Sequence, residues 1–71
     1  MSSVRVAPDA GGWSVKLEGF EVPVATFRLE SDALMYARDY ARRHTLRLVV
    51  HFADGNVRFT ERPMSRDPGR E

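Results

Sequence analysis

The chain has 71 residues, 11 basic and 10 acidic side chains, a net charge of +1 and no cysteine. This length suits one small domain, and the composition excludes a disulfide framework, a thiolate metal site and a strongly basic nucleic-acid domain. Because no apolar run approaches the roughly 18 residues of a membrane span and the N-terminus lacks a signal-peptide core, we expect a soluble cytoplasmic protein that makes no membrane contact.

The first 29 residues predict three strands. Residues 4–7 form a short extended run that ends at Pro8, and the following PDAGG supplies turn residues. Residues 13–17 alternate between apolar and polar side chains, as a half-buried strand does. Residues 22–29 predict a third strand at a sheet edge, because Pro23 has no amide hydrogen to donate. The apolar parity changes between Val24 and Phe27, which predicts a bulge near Ala25.

Residues 31–45 predict one amphipathic helix. Ser31 is the expected N-cap, and Asp32 suits the positive end of the helix dipole. Thr45 is the expected exit from the helix. Helical spacing places mostly small and aromatic side chains on the arc that would face a sheet: Ala33, Leu34, Tyr36, Ala37, Tyr40, Ala41 and His44.

Residues 46–62 predict a β-hairpin. Asp54-Gly55 is a strong signal for a two-residue loop between two strands. With that loop, one face of the hairpin is apolar and the other is basic. The register then pairs Phe52 with Val57, Val50 with Phe59, Val49 with Thr60, and His51 with Arg58.

In chain order the elements predict an α+β fold, β-β-β-α-β-β, in which one helix packs on one face of an antiparallel-rich sheet. We expect a single domain over residues 1–62 and a disordered tail over residues 63–71. The sheet face away from the helix is called the open face, and we expect it to carry Ser14, Lys16, Arg47, Val49, His51 and Arg58. By parity we expect Trp13, Phe52 and Phe59 to face the helix.

The ordered set of motifs resembles a family of small bacterial proteins known as domain of unknown function 2188. The motifs are a Val-x-Pro start, a Gly-Gly-Trp-x-Val strand, a helix with repeated alanines, a Val-His strand and an Asp-Gly hairpin. The aromatic residue that often follows the family's last strand is absent here, where the chain reads RPMS. The resemblance implies the fold and no activity. The matching positions are Val6, Pro8, Gly11, Gly12, Trp13, Val15, Ala33, Ala37, Ala41, Val50, His51, Asp54 and Gly55.

The sequence carries no recognisable catalytic or metal motif. His44 and His51 are seven residues apart on different predicted elements, which does not make a metal site. No nucleophile or paired carboxylate is placed to work with either histidine. We therefore predict no enzyme activity, and we infer no cofactor and no small-molecule substrate.

Two binding hypotheses remain. The first is a protein-binding or self-associating module, with a homodimer formed by edge pairing because self-contact of the open face would juxtapose like charges. The second is weak electrostatic binding of nucleic acid. Missing from that face is the aromatic platform typical of single-strand binders. The residues expected to bind nucleic acid are Lys16, Arg47, His51, Arg58 and Arg62.

Overall fold

A computed structural model of the protein describes residues 3–62. In chain order the elements are β1 (Ser3–Asp9), β2 (Gly12–Leu17), β3 (Ala25–Phe27), α1 (Glu30–His44), β4 (Arg47–His51) and β5 (Val57–Glu61). The predicted order β-β-β-α-β-β is confirmed, as is the packing of a single helix on one face of the sheet. The tail predicted for residues 63–71 lies outside the described residues.

The five strands form one mixed sheet in the order β3-β2-β1-β4-β5. Strand β1 lies at the centre, antiparallel to β2 and parallel to β4. The β2–β3 and β4–β5 pairs are antiparallel. Helix α1 packs on β1 to β4 and carries the chain from the β3 edge back to the centre of the sheet.

The core lies between α1 and the sheet and is built from small side chains. The alternation of β1, β2 and β4 places the fully buried apolar residues on the face toward the helix, while Val49 of β4 is buried on the opposite face. Ala33, Ala37 and Ala41 repeat every four residues along α1 and are all buried, so the helix can approach the sheet closely. The fully buried residues of the sheet are Val4, Val6, Val15, Leu48 and Val50.

The rest of the predicted helix arc is only partly buried. Leu34 and Tyr40 pack against the core, whereas Tyr36 and His44 are exposed. The rings of Tyr36 and Tyr40 are 6.2 Å apart, and the His44 ring lies 4.4 Å from that of Tyr40. The aromatic side chains therefore form a row along the flank of the helix rather than part of the core.

The predicted helix N-cap is wrong. Helix α1 begins at Glu30, and its N-cap residue is Leu29, which makes no side-chain cap hydrogen bond. Glu30 and Asp32 both lie in the first turn, where their charge is favourable for the helix dipole. The predicted exit is confirmed, because Thr45 adopts a left-handed conformation, with φ of 55°, and ends the helix.

The third strand is shorter than predicted and begins at Ala25, where the bulge was predicted. It covers Ala25–Phe27 and pairs with β2 without interruption. Its edge position is confirmed. Gly12 allows the close approach of this strand, since a Cβ atom at Gly12 would lie 2.5 Å from the Phe27 carbonyl oxygen. From the sequence, Gly12 was expected to be a turn residue. In the structure its role is to allow β3 to approach β2 closely.

The loop of the C-terminal hairpin has three residues, not the predicted two. The Phe52 amide donates to the Asn56 carbonyl at 2.8 Å, and the Gly55 amide donates to the Phe52 carbonyl at 3.0 Å. Gly55 has a φ of +93°, which suits the last position of a three-residue loop. The Asp54 carboxylate accepts a hydrogen bond from the Asn56 amide and favours this turn.

The longer loop shifts the end of the hairpin by one residue. His51 pairs with Val57, so the predicted pairings of His51 with Arg58 and of Phe52 with Val57 are wrong. A register shift between Val50 and His51 then restores the predicted Val50–Phe59 and Val49–Thr60 pairs. Trp13 and Phe59 pack against the core as predicted, but Phe52 is 51% exposed at the start of the loop.

Candidate functional site

The open face is shaped by the alternation of the three inner strands. Val4 and Val6 of β1 turn toward the helix, so Arg5 and Ala7 lie on the opposite side. Register places Arg5 directly opposite Lys16, and Ala7 directly opposite Ser14. On the other side of β1, the parallel β4 places Val49 beside Arg5 and Arg47 beside Ser3.

A shallow depression of about 320 Å³ lies on the open face. Small side chains occupy its middle, and longer charged or polar side chains surround them. The open-face residues that line it are Arg5, Ala7, Asp9, Ser14, Lys16 and His51. Its volume is close to the lower limit of pockets that hold small ligands.

His51 positions the guanidinium group of Arg5 beside this depression. The His51 Nδ1 atom lies 3.0 Å from the Gly55 carbonyl oxygen, and Nε2 lies 3.3 Å from Nη1 of Arg5. A carbonyl only accepts and a guanidinium only donates, so both bonds form when Nδ1 carries the hydrogen and Nε2 accepts. The hairpin loop thus orients the His51 ring, and the ring restrains Arg5.

Two buried serines lie on the open face, and they differ in their hydrogen bonds. Ser3 is 6% exposed, and its hydroxyl donates to the Glu18 carboxylate at 3.0 Å. Ser14 is 3% exposed and lines the depression. Within residues 3–62 its hydroxyl makes no hydrogen bond, although buried polar groups in proteins are nearly always paired.

Ion pairs between the described residues lie away from the open face. Arg38 of α1 forms a two-bond pair with Glu61 of β5, with distances of 2.9 and 3.2 Å. These hydrogen bonds and the charge of Glu61 raise the pKa of the Arg38 guanidinium above its ordinary value. On the outer surface of the helix, Asp39 pairs with Arg42 and Arg43.

The three basic strand residues on the open face take part in none of these ion pairs. No carboxylate in the described part of the chain lies within 4.0 Å of the charged groups of Arg5, Lys16 or Arg47. Asp9, at the rim of the depression, and Glu18, bound to Ser3, are the acidic side chains placed at this face. The middle of the face is therefore positively charged.

Arg58 does not belong to the open face, which corrects the predicted set of residues. As the extra residue of the bulge it has no strand partner, and its guanidinium forms an ion pair with Glu30 at the start of α1. The same guanidinium lies 5.6 Å from the centre of the Phe59 ring. The Arg58 guanidinium therefore connects β5 to α1 through its ion pair with Glu30.

The other four predicted residues have different surroundings. Lys16 and His51 line the depression. Arg47 is exposed at the start of β4, next to Ser3, whereas Arg62 is exposed just after β5 and lines a cavity beside α1, on the helix side of the sheet. The structure therefore brings together Lys16 and His51, leaves Arg47 nearer the margin of the open face, and places Arg62 on the helix side.

Arg5, the most central basic residue of the site, is not among the residues predicted from the sequence. The signal was present, because Arg5 stands between Val4 and Val6 in an alternating strand. Its importance depends on β1 being the central strand, which is a property of the sheet order and not of the local sequence. Ser14 was placed on the correct face, but its missing partner is visible only in the structure.

The described residues contain no group of three or more side chains suited to a metal ion. A search of the same part of the chain finds no helix with the length and apolarity needed to cross a membrane.

Residues 4–62 match the model of a family described as an uncharacterised protein conserved in bacteria, DUF2188. The chain belongs to this family. The DUF2188 match runs from the second residue of β1 to just after β5, so it covers the open face apart from Ser3. The resemblance noted in the sequence is confirmed. Neither a search of curated proteins nor a search of solved structures gave a match.

Proposed function

We propose that this DUF2188 domain is a small binding module without catalytic activity, and that its open face binds the phosphate backbone of a nucleic acid. The observation that carries the proposal is the pair formed by Arg5 and Lys16. The two cations lie directly opposite each other on neighbouring strands, and no carboxylate of the described chain lies within 4.0 Å of their charged groups. Like charges in this arrangement destabilise a sheet, and a bound anion would relieve the repulsion.

The shape of the sheet supports the open face over the strand edges as the binding surface. One edge strand, β3, has only three residues, and the other, β5, contains a bulge. Short edges and bulges are the features with which proteins prevent pairing to another strand. The edge pairing expected from the sequence is therefore less well supported than contact through the open face.

The character of the face supports backbone contacts rather than base stacking. His51 is the one ring-bearing side chain among the residues assigned to it within the described chain, whereas single-strand binders usually stack bases on several aromatic rings. We expect binding that depends little on base sequence and is at least as tight for duplex as for single-stranded DNA. If Arg5, Lys16 and Arg47 each contact one phosphate, the logarithm of the binding constant should fall with the logarithm of the salt concentration with a slope of about −3 for a duplex.

The proposal is tested by titrating ¹⁵N-labelled protein with short duplex and single-stranded DNA at low and at physiological salt. Amide shifts should cluster around Arg5, on residues 14–16 and on residues 47–51, and should weaken as salt rises. Absence of shifts at low salt would refute nucleic-acid binding.

Glutamine variants supply a matched comparison. Arg5→Gln and Arg47→Gln each remove one open-face cation and should reduce the salt slope by about 1. Arg58→Gln removes a cation of the same type that already pairs with Glu30 on the helix side. It should leave DNA binding unchanged. Equal losses in all three variants would mean that net charge, rather than this face, determines binding.

Self-association is the second candidate function, and a different surface favours it. The connection around β3 exposes several large apolar side chains, among them Phe20 at 66% and Val22 at 76% exposure. Val24 and Leu29 are also exposed close by in the chain. A second copy of the chain is the proposed partner, since contact between two such segments would bury apolar surface without opposing the charges of two open faces.

Sedimentation equilibrium at several protein concentrations tests this second candidate. A homodimer should give an apparent mass that rises with concentration in the native chain and stays at the monomer value in Phe20→Ser/Val22→Ser. A constant monomer mass at all concentrations would refute it.

We also propose a cytoplasmic location, because a chain without cysteine suits a reducing compartment.

A further inference from the structure

We infer that the depression on the open face is a site for one phosphate monoester group, held by Arg5, Lys16 and Ser14. The inference deepens the proposed function and rests on it, because it assigns the strongest contact of the open face to a single position. It also specifies the ligand group: a terminal phosphate that carries close to two negative charges.

The Ser14 hydroxyl is the first argument. It is buried at the depression and has no hydrogen-bond partner among residues 3–62, whereas Ser3, equally buried on the same face, is satisfied by Glu18. A ligand oxygen at the depression would accept a hydrogen bond from Ser14. The side chain of Lys16, which lines the same depression, is long and flexible enough to move aside and then to close on such a ligand.

The charge and spacing of the donors are the second argument. Arg5 and Lys16 are directly opposite, so their Cβ atoms are separated by about 5 Å. Ser14 lies two residues from Lys16 on the same strand face, about 7 Å away. A tetrahedral group with three free oxygens can meet three donors spaced in this way, whereas a carboxylate has two oxygens. Two cations also match the charge of a phosphate monoester, about −1.5 to −2 at neutral pH.

The restraint of Arg5 is the third argument. His51 accepts from Nη1 of Arg5 and is itself bound to the hairpin loop through the Gly55 carbonyl. The guanidinium is thus held beside the depression before any ligand arrives. A preorganised guanidinium loses less conformational freedom on binding than a free side chain does.

Substitution of Asp9 should change the affinity for phosphate in the direction opposite to substitution of the two cations. Its carboxylate lines the rim of the same depression and is the acidic group there. It repels a bound phosphate, so Asp9→Asn should tighten phosphate binding, while Arg5→Gln and Lys16→Gln should weaken it. A site defined only by shape would show no such opposite effects.

The test uses the full chain, ¹⁵N-labelled, titrated at fixed ionic strength with inorganic phosphate, with a nucleoside 5′-monophosphate, and with acetate as the carboxylate comparison. Both phosphates should cause saturable shifts of the amides of Arg5, Ser14, Lys16 and His51, and acetate should cause none. Ser14→Ala should weaken phosphate binding about tenfold, the value expected for loss of one hydrogen bond to a charged group. Ser3→Ala, the matched control, should leave it unchanged.

The outcomes separate this inference from the proposed function. DNA binding without saturable phosphate shifts would overturn the phosphate site and leave the nucleic-acid proposal standing. Phosphate shifts that respond to Ser14→Ala, without DNA binding, would support the site and refute the nucleic-acid proposal; its ligand would then be a small phosphorylated compound. Equal shifts with acetate and phosphate, or equal effects of Ser14→Ala and Ser3→Ala, would overturn the inference.

Discussion

Replacing Ser14 with alanine should make the unliganded protein more stable. Ser14 is 3% exposed, and its hydroxyl has no hydrogen-bond partner within the described chain. A hydroxyl desolvated in this way costs about 1–3 kcal/mol, and the substitution removes that penalty. Alanine leaves the Cβ position and the β1–β2 register unchanged.

Ser3 is the reference for the expected change in the free energy of unfolding. Ser3→Ala removes a formed hydrogen bond to Glu18 and should destabilise the fold by about 0.5–1.5 kcal/mol. Both serines are buried strand residues on the same face, so differences in strand propensity largely cancel. The two effects have opposite signs, so the variants should differ in unfolding free energy by about 3 kcal/mol, or roughly 12–24 °C in Tm for a domain of this size.

The assay is thermal and urea unfolding, followed by circular dichroism in a buffer without phosphate or sulfate. A higher Tm for Ser14→Ala than for the native chain, with a lower Tm for Ser3→Ala, is the expected result. If Ser14→Ala lowers the stability as much as Ser3→Ala, its hydroxyl is satisfied in the free protein. A satisfied hydroxyl would not need a ligand oxygen, and the phosphate site would lose its main support.

Three further predictions concern the scaffold. Gly12→Ala should destabilise the fold by about 1–3 kcal/mol and speed amide exchange in β3, because the new Cβ would lie 2.5 Å from the Phe27 carbonyl oxygen; normal exchange in β3 would contradict this. Ala37→Leu should cost about 1–3 kcal/mol in urea unfolding, since Ala37 is fully buried against the sheet and leucine is nearly as good a helix former as alanine. Arg58→Gln should cost less than about 1 kcal/mol, as expected for an exposed ion pair with Glu30, and a larger loss would show that the bulge depends on it.

The elements with strong periodicity were predictable from the sequence. The alanines of α1 and the alternating apolar residues of β2 and β4 identified the buried faces correctly, because burial on one side imposes those periods directly. The fold class followed from the order of the elements. The exit at Thr45 was also predictable, although the start of the helix was not, since Leu29 carries no capping side chain.

The errors have a common physical origin in backbone geometry at the ends of strands. Asp54-Gly55 favours two hairpin types, and the hydrogen bond from the Asn56 amide to Asp54 accompanies the longer one. That one-residue change moved Arg58 from the open face to the helix side. Arg5 was missed for a different reason, because its central place depends on long-range pairing of β1 with β4.

The parallel pairing of β1 with β4 also determines how the chain can be divided. Residues 3–27 form a meander of three strands, and residues 30–61 form the helix and the second hairpin. The two units meet along a ladder whose partners, such as Ser3 and Arg47, are about 44 residues apart, and beneath α1. Such distant contacts close late in folding, after the local hairpins. A break between Phe27 and Glu30 would leave two fragments, each of which carries only part of the core. Neither fragment can bury its apolar face alone, so the two should fold only when they associate with each other.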